Sequence, residues 1–536
     1  MPLRRPPAAA VRNGPAATGR KQNEIAPWAL LLGTCGVLAW YFVVQQQYLS
    51  HDDIFFKYTA DGSHALALAN HVNGRFLAGA VFRLFDAIGF DLFDYALLLR
   101  SVAYAALTAF AYVFVDRLRP ATPPVDKALC VLLIIAHPYN ITAMSNANNL
   151  INATLAFGSL TTAILLFASN RSPLRLVLAS IALLVTLCSY QTYIYYFLVF
   201  VGAYFLFRDA TWRRTLGDIS LGAAVALGAM VTYYALYAFG VEHAVPALAA
   251  MENWLLIESF GDSRGGANDL SGFAISAFLY FVVIFRVVAW PEPILPLYVK
   301  LLALLLVSVS LYLWSRERHM AHGNTTAETA LRRRQRLLVM ALVLMMGSPL
   351  HLYLADSWHS PSVLMHAATI FAALFLLSYE RIPQRWYGAL RAGVAACVFC
   401  VALSTALAMT EINRMFQKDL DLAVSIVADL DARPQFDPDK PLVIVGQIGA
   451  GSSHVEDAFS HFRMNLSKFT NNWSKYGILE EATGRRFKRP GADFRREAVR
   501  LCGDPAELAG LFRSDVTPRG AVVCLPHRLS NAPDGA

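Results

Sequence analysis

Residues 26–53 read APWALLLGTCGVLAWYFVVQQQYLSHDD. The run Ala26 to Tyr48 is long enough to cross a bilayer, which needs about 20 apolar residues. Basic residues precede it: Arg4, Arg5, Arg12, Arg20 and Lys21. Basic flanks stay on the cytoplasmic side, so the N-terminus is expected inside and Asp52-Asp53 outside, at the membrane surface. Carboxylates so close to hydrocarbon are expensive, and an acidic pair there points to chemistry rather than solvation.

Working outward, the whole 536-residue chain is 56% hydrophobic and only 16% charged, with mean hydropathy +0.43. A soluble domain carries about 25% charge, so the composition predicts a polytopic α-helical membrane protein. The net charge of +8 collects in short loops between apolar runs. That reads as orientation signal and lipid-headgroup contact, with no nucleic acid as partner. Residues 1–25, rich in Pro, Ala and Arg, read as a disordered cytoplasmic segment. The first apolar run is too long for a cleaved signal peptide.

Further apolar runs fall at roughly 92–115, 126–143, 150–168, 174–189, 191–207, 216–239, 294–314, 336–355, 361–378 and 388–409. A run at 271–290 holds Arg286 and ends in Trp290-Pro291-Glu292-Pro293; it reads as interfacial or re-entrant. With it excluded, the loops carrying Arg117, Arg119 and Lys127, then Arg171 and Arg175, then Arg208, Arg213 and Arg214, and finally Arg316 to Arg336 all fall inside. About eleven spans result, with the N-terminus in and the C-terminus out; twelve is the alternative. The spans fill 26–410. Residues 411–536 are polar and read as a small α/β domain on the outer, periplasmic side. In it Glu411 to Leu430 is a helix and Leu442 to Val445, between Pro441 and Gly446, a buried strand.

Seven cysteines are present. Cys397 and Cys400, spaced like a redox or zinc pair, read as one turn of packed helix inside a span. Cys502 and Cys524 would pair if their domain faces an oxidising compartment.

The first external segment, 49–91, carries the most chemistry. Thr59 to Ile88 has helical periodicity and reads as one amphipathic helix on the membrane, with Asp61, His64, His71, Arg75 and Arg83 near a common stripe. Either these side chains line a site for an anionic lipid phosphate, or they form a solvated face with snorkelling cations. Sugar transfer from a lipid phosphate needs a base for the acceptor hydroxyl and positive charge on the leaving phosphate. A surface carboxylate beside an arginine supplies both. Nucleotide sugars are absent outside the cytoplasm, so an outward-facing site implies a polyprenyl-phosphate sugar as donor.

Asp52-Asp53-Ile54, Asn73-Gly74-Arg75-Phe76-Leu77, His137-Pro138-Tyr139-Asn140, Ser189-Tyr190-Gln191-Thr192 and Asn413 through Asp421 leading to Val443-Ile444-Val445-Gly446 occur in that order. The pattern resembles the type-II Gtr family, serotype-converting glucosyltransferases that decorate O-antigen. The resemblance implies a GT-C-like fold in the bacterial inner membrane and inverting transfer of a hexose, glucose by family default, to a lipid-linked glycan. It implies Asp53 and Asp52 as catalytic carboxylates and places Arg75, Tyr190 and Gln191 around the donor, where Lys57, His71 and Asn146 are further candidates by their positions. The chain departs from the family pattern in having Phe55 and Phe56 after the acidic pair, with Lys57 the nearest cation. Asn146, Asn148, Asn149 and Asn152 stand where the family has an Asp.

For the acceptor the candidates are Trp254 and Glu258, with Asp262 nearby, and His359 beside Asp356 and Trp358. The plainer reading of the 240–270 loop is an interfacial aromatic anchor. A divalent cation held by His51, Asp52, Asp53 and His359 is an alternative to side chains that simply face water; no other cofactor is indicated. The glycine-rich 446–451 segment lacks a Walker lysine and reads as a structural turn. Two rival functions remain: a flippase or transporter of lipid-linked glycans, expected to carry ionisable groups in mid-span, and a glycan polymerase or ligase, expected to have large external loops.

Overall fold

The computed structural model describes residues 49–58, 62–137, 146–169, 172–206, 212–249, 367–381, 384–448, 467–469, 474–503 and 511–526, with isolated positions between them. The expected spans at 26–48, 294–314 and 336–355, and the run at 271–290 read as interfacial or re-entrant, lie almost wholly outside them. The described chain is mostly helical. Its elements run α1 (His51–Tyr58), α2 (Gly62–Val72), α3 (Phe76–Ala87), α4 (Ala96–Leu118), α5 (Pro124–Ile135), α6 (Ala147–Ala168), α7 (Pro173–Ser189), α8 (Ile194–Leu206), α9 (Trp212–Ala249), α10 (Ala367–Arg381) and α11 (Tyr387–Asp431). There follow β1 (Leu442–Val445), α12 (Ser474–Thr483), α13 (Ala492–Cys502), β2 (Arg513–Thr517) and β3 (Gly520–Cys524).

Four helices among the described residues are long and apolar enough to cross a membrane: Ala96–Leu118, Ala147–Ala168, Gly217–Phe239 and the helix through Gln384–Asp431. Their apolar residues face outward as well as inward. Leu98, Leu227, Val231, Phe239 and Leu407 are all more than half exposed. Helices apolar all round belong in lipid, and the protein is membrane-embedded.

Inside the bundle α4 presents Ala103, Leu107, Phe110, Ala111 and Phe114, all fully buried, at spacings of three and four. They meet Ala153, Ala156, Phe157, Leu160 and Ala163 of α6, likewise fully buried. Small residues on both faces let the backbones approach, which is how helices associate where lipid is as apolar as leucine. Aromatic rings fill the remaining space: Phe110 lies 5.3 Å from Phe157 and 5.0 Å from Tyr196, centroid to centroid.

Polar clusters sit at the two ends of the described bundle. At one end Lys127 pairs with Asp116, and Arg119 donates to the Leu376 carbonyl. There too Arg391 grips the fully buried Asp126 bidentately at 2.8 and 3.0 Å, with the Tyr387 hydroxyl donating at 2.6 Å. The opposite end holds α1, the α2–α3 pair and the C-terminal domain.

Two expectations are corrected. The segment 59–88 is not one helix: it folds back at Asn73-Gly74-Arg75 into α2 and α3, because Gly74 takes φ +72° and the Arg75 amide donates to the Asn70 carbonyl. Such a left-handed residue ends helices. The span at 388–409 and the helix 411–430 are one continuous helix, α11, of 45 residues. At 1.5 Å per residue it is about 68 Å long, roughly twice the hydrocarbon thickness. Its far half buries Phe416, Asp419, Ala423, Ile426 and Leu430 against the C-terminal domain.

That domain carries a three-stranded sheet in the order β1-β3-β2. β1 runs parallel to β3 in the register Val443↔Val522, and β2 pairs antiparallel with β3 through Ser514↔Val523. The expected strand at 442–445 is thus the sheet's edge. Phe494 and Ala498 of α13 cover Val443 and Val522, and a disulfide joins Cys502 to Cys524. Closing a loop of that length contributes about 3 kcal/mol in the chain-entropy account. Cys397 is buried in α11 and, like Cys400 a turn later, is a free thiol.

Candidate functional site

The acidic pair opens α1, and the two residues do not share a role. Asp53 is wholly buried. Its Oδ2 accepts from the Ser50 amide at 3.0 Å and the Ala147 amide at 2.9 Å, and its Oδ1 from the Asn148 amide at 2.9 Å. The Ser50 hydroxyl accepts in return from the Asp53 amide at 3.1 Å. Ala147 and Asn148 are the first residues of α6, whose N-cap, Asn146, makes no side-chain capping bond. Asp53 therefore caps α6 from 94 residues away in sequence. The cause is electrostatic: the first amides of a helix lack partners, and their dipoles attract an anion. Arg100, buried one turn into α4, adds its positive charge beside Asp53. The Asp52 side chain lies outside the described set.

The second cluster is built on the α2–α3 turn. The Arg75 guanidinium lies 4.2 Å from the centroid of the Tyr190 ring, and its Nη1 reaches Asn149 Oδ1 at 3.4 Å. Its Nε is buried and has no hydrogen-bond partner among the described residues. Gln191 closes the turn from beneath: its Nε2 donates to the Asn73 carbonyl at 2.5 Å and to the Tyr233 hydroxyl at 2.6 Å. A Cβ on Gly74 would lie 2.8 Å from Tyr237 Cδ2, 2.9 Å from Gln191 Nε2 and closer still to the Tyr233 hydroxyl. No side chain fits there, which is why glycine precedes Arg75. Arg75, Tyr190 and Gln191, expected together from sequence, do come together, beside the capped end of α6.

That end of α6 adds amides. Asn152 Nδ2 donates to Asn70 Oδ1 at 3.3 Å and lies 3.4 Å from Asn149 Oδ1, which it shares with Arg75. The buried Oδ1 atoms of Asn148 and Asn152 have no hydrogen-bond partner among the described residues. Buried polar atoms are rarely left unbonded. Two acceptors and one guanidinium nitrogen without partners among the described residues, on α6 and the adjoining α2–α3 turn, suit a ligand that brings both hydroxyls and an anion.

Two donor-site candidates are instead engaged elsewhere. Lys57 pairs with Glu481 of α12 at 2.7 Å, and the Tyr58 hydroxyl donates to the same carboxylate. Burial, reinforced by that bond, pushes the Tyr58 phenol up. Lys57 thus joins two parts of the fold rather than waiting for phosphate. His71 donates from Nδ1 to the Ala67 carbonyl at 3.0 Å and packs edge-on to Phe76, against Gly79. Burial and the Arg83 charge hold its imidazole below the ordinary range, so it is a neutral packing residue. Trp254, Glu258, Asp262, Asp356, Trp358 and His359 lie outside the described residues, as do the side chains of His51 and His64. Among the described residues no three His, Cys, Asp or Glu side chains come together as a metal site.

Arg100, Asn70, Asn148, Asn149, Asn152, Tyr233 and Glu481 were not singled out as site residues from sequence. Arg100, an ionisable residue inside an apolar run, gave a signal that could have found it, as did Asn148, Asn149 and Asn152, which stand where the resembled family has an Asp.

Comparison of the chain with protein-family models, with curated proteins and with solved structures finds no match.

Proposed function

We propose that the chain is a GT-C-like glycosyltransferase of the bacterial inner membrane. It moves a hexose, glucose by the resemblance, from a polyprenyl-phosphate donor to a lipid-linked glycan such as O-antigen on the outer face, with inversion. The observation that carries this reading is the convergence of Arg75, Tyr190 and the amide-rich start of α6 beside the acid-bearing α1, at the end of the bundle away from Lys127, Arg119 and Arg391. Positive loops mark the cytoplasmic side, so this end faces outward. The disulfide in the adjoining domain fits an oxidising compartment. In the proposed topology the four long helices, the shorter α5, α7, α8 and α10, and the undescribed runs at 26–48, 294–314 and 336–355 make about eleven spans.

In the proposed reaction the acceptor hydroxyl attacks the anomeric carbon from the face opposite the phosphate. Its proton goes to a carboxylate, and the sugar–phosphate bond breaks toward Arg75. Asp53 has its oxygens committed to three amides, so the base is Asp52, while Asp53 fixes the helix that bears it. Arg75 meets the growing phosphate charge with a planar fork, and Tyr190 holds that fork flat. The asparagines offer acceptors to sugar hydroxyls.

Among the described residues, Arg100 lies near a helix end and is coupled to Asp53, whereas a flippase is expected to place its ionisable groups in mid-span. The test is transfer by the protein in lipid nanodiscs, using a short-chain polyprenyl-phosphate hexose, with product read by mass and linkage analysis. Wild-type protein should form the glycosylated lipid and Arg75→Ala should not. Turnover by Arg75→Ala at the wild-type rate would remove this site from the reaction.

A further inference from the structure

The helix that carries Asp52 and Asp53 is held in place by a domain more than 400 residues away in sequence. Three contacts do this, on successive turns of α12 and just beyond it. First, α12 crosses α1 at Gly477. A methyl group there would sit 2.9 Å from the Ile54 carbonyl oxygen and closer still to Ile54 Cγ2. The two backbones therefore touch directly beside Asp53, and Ile54 is fully buried. Second, one turn on, Glu481 receives both Lys57, at 2.7 Å, and the Tyr58 hydroxyl. Both side chains of the pair are mostly buried, at 29% and 22% exposure, so the interaction is shielded from the solvent that weakens surface pairs. Third, the Arg489 guanidinium lies between the rings of Phe55, at 6.0 Å, and Tyr476, at 5.5 Å.

α1 itself is only eight residues long, too short to be stable on its own. Its N-terminal half is tied to α6 through Asp53 and its C-terminal half to α12 through Lys57 and Tyr58. Position 477 lies on the α12 face that meets α1, and Glu481 is four residues on, so both lie on one stripe. α12 in turn packs on the far half of α11, which continues from the bundle without a break.

We infer that the C-terminal domain is a positioning element of the site: Gly477, Glu481 and Arg489 set the placement of α1 and hence of the Asp52-Asp53 pair. The consequence for catalysis rests on the function proposed above; the placement itself does not.

The test uses the full-length protein in nanodiscs, with Glu481→Gln, Gly477→Ala and the charge exchange Lys57→Glu with Glu481→Lys. Hydrogen exchange of the Ile54 to Tyr58 amides is read beside that of Val522 and Val523. In Glu481→Gln the α1 amides should exchange about tenfold faster, as expected for loss of a charged hydrogen bond, with the sheet unchanged. With the lipid-phosphate hexose, kcat should fall about tenfold while donor KM holds, because Arg75 stands on a separate turn. The exchanged pair restores the ion pair but not the bond that Tyr58 donates, so it should recover protection and kcat together in part relative to Glu481→Gln. Unchanged α1 protection in both Glu481→Gln and Gly477→Ala overturns the inference, and so does faster exchange with undiminished kcat. If Gly477→Ala fails to fold, the Glu481→Gln and exchange variants decide alone. If wild-type protein transfers no sugar, the proposed function falls, and the exchange data still decide whether the domain places α1.

Discussion

Replacing Asp53 by Asn separates a helix cap from a catalytic base. The carboxylate serves three amides, Ser50, Ala147 and Asn148. An asparagine keeps one oxygen. That oxygen can hold Ser50 and Ala147, but the Asn148 amide then faces an NH2 group. One orphaned buried donor costs about 1–3 kcal/mol. The remaining two bonds lose their charge and the α6 terminus loses its anion, adding about 1 kcal/mol. Arg100 also loses the negative charge beside it. A total of about 3 kcal/mol follows, enough to lower the melting temperature by several degrees. Asp52→Asn should leave the melting temperature in place and reduce transfer by about 10²–10⁴-fold, the usual range for a lost general base. Both quantities are measured on one nanodisc preparation, with activity normalised to folded protein. An Asp53→Asn protein that melts with wild type refutes the cap. Full activity in Asp52→Asn refutes the base.

Arg75→Lys should already weaken donor use, since a lysine cannot replace the fork or its stacking on Tyr190; equal kinetics for Lys and Arg would reduce Arg75 to a lipid anchor. Gly74→Ala should destabilise the α2–α3 turn by more than about 1 kcal/mol, from positive φ and the Tyr233 contact together, seen as a lower melting temperature. Asp419 is pushed up to about 6 by burial, against the opposing pull of Lys468 and its hydrogen bonds. A raised carboxyl adds stability below its unfolded value near 4 that is lost as pH rises through 6. C-terminal-domain stability should therefore fall between about pH 4 and 6, by roughly 3 kcal/mol for two units, and Asp419→Asn should flatten that slope in chemical denaturation. Cys502→Ser should lower the same domain's stability by about 3 kcal/mol, and an unchanged denaturation midpoint would show that the bond contributes nothing.

The membrane helices were legible because lipid demands uninterrupted apolar length, which composition records directly. The described runs at 92–115, 150–168 and 174–189 each became a helix within a few residues of its expected bounds; the run 216–239 lies inside the longer α9, and the helix expected over 126–143 ends at Ile135. The β1 strand was legible for a similar reason: four β-branched or aliphatic residues between Pro441 and Gly446 leave little choice. The turn at Gly74 was not, because helical periodicity continues across it, and only the packing of Tyr233 and Gln191 makes the break necessary. Nor was the join between the last span and helix 411–430, where a change from apolar to polar surface was read as a boundary. The backbone continues as a helix regardless of what solvent surrounds it. Within the site, Arg75, Tyr190 and Gln191 were found from short motifs. The roles of Asp53, Lys57 and His71 depended on partners at 147, 481 and 67, and side-chain type alone does not reveal such pairings.

The cap from Asp53 also explains why an arginine can be buried at residue 100. A lone guanidinium near hydrocarbon is costly, and so is a lone carboxylate. Here the two charges neighbour one another, and the start of α6 supplies two amides to the carboxylate. Neutralising either charge leaves the other poorly matched. Arg100→Leu should therefore destabilise the fold although it makes the span more apolar, whereas Leu at an outward-facing span position should not. The same logic operates at the other end of the bundle, where Arg391 and Tyr387 surround Asp126. α11 begins at that second cluster and ends against the domain that holds α1. A single continuous helix thus runs from the Asp126 cluster to the domain that holds the acid-bearing helix, so the placement of α1 depends on both polar clusters as well as on the loops around it.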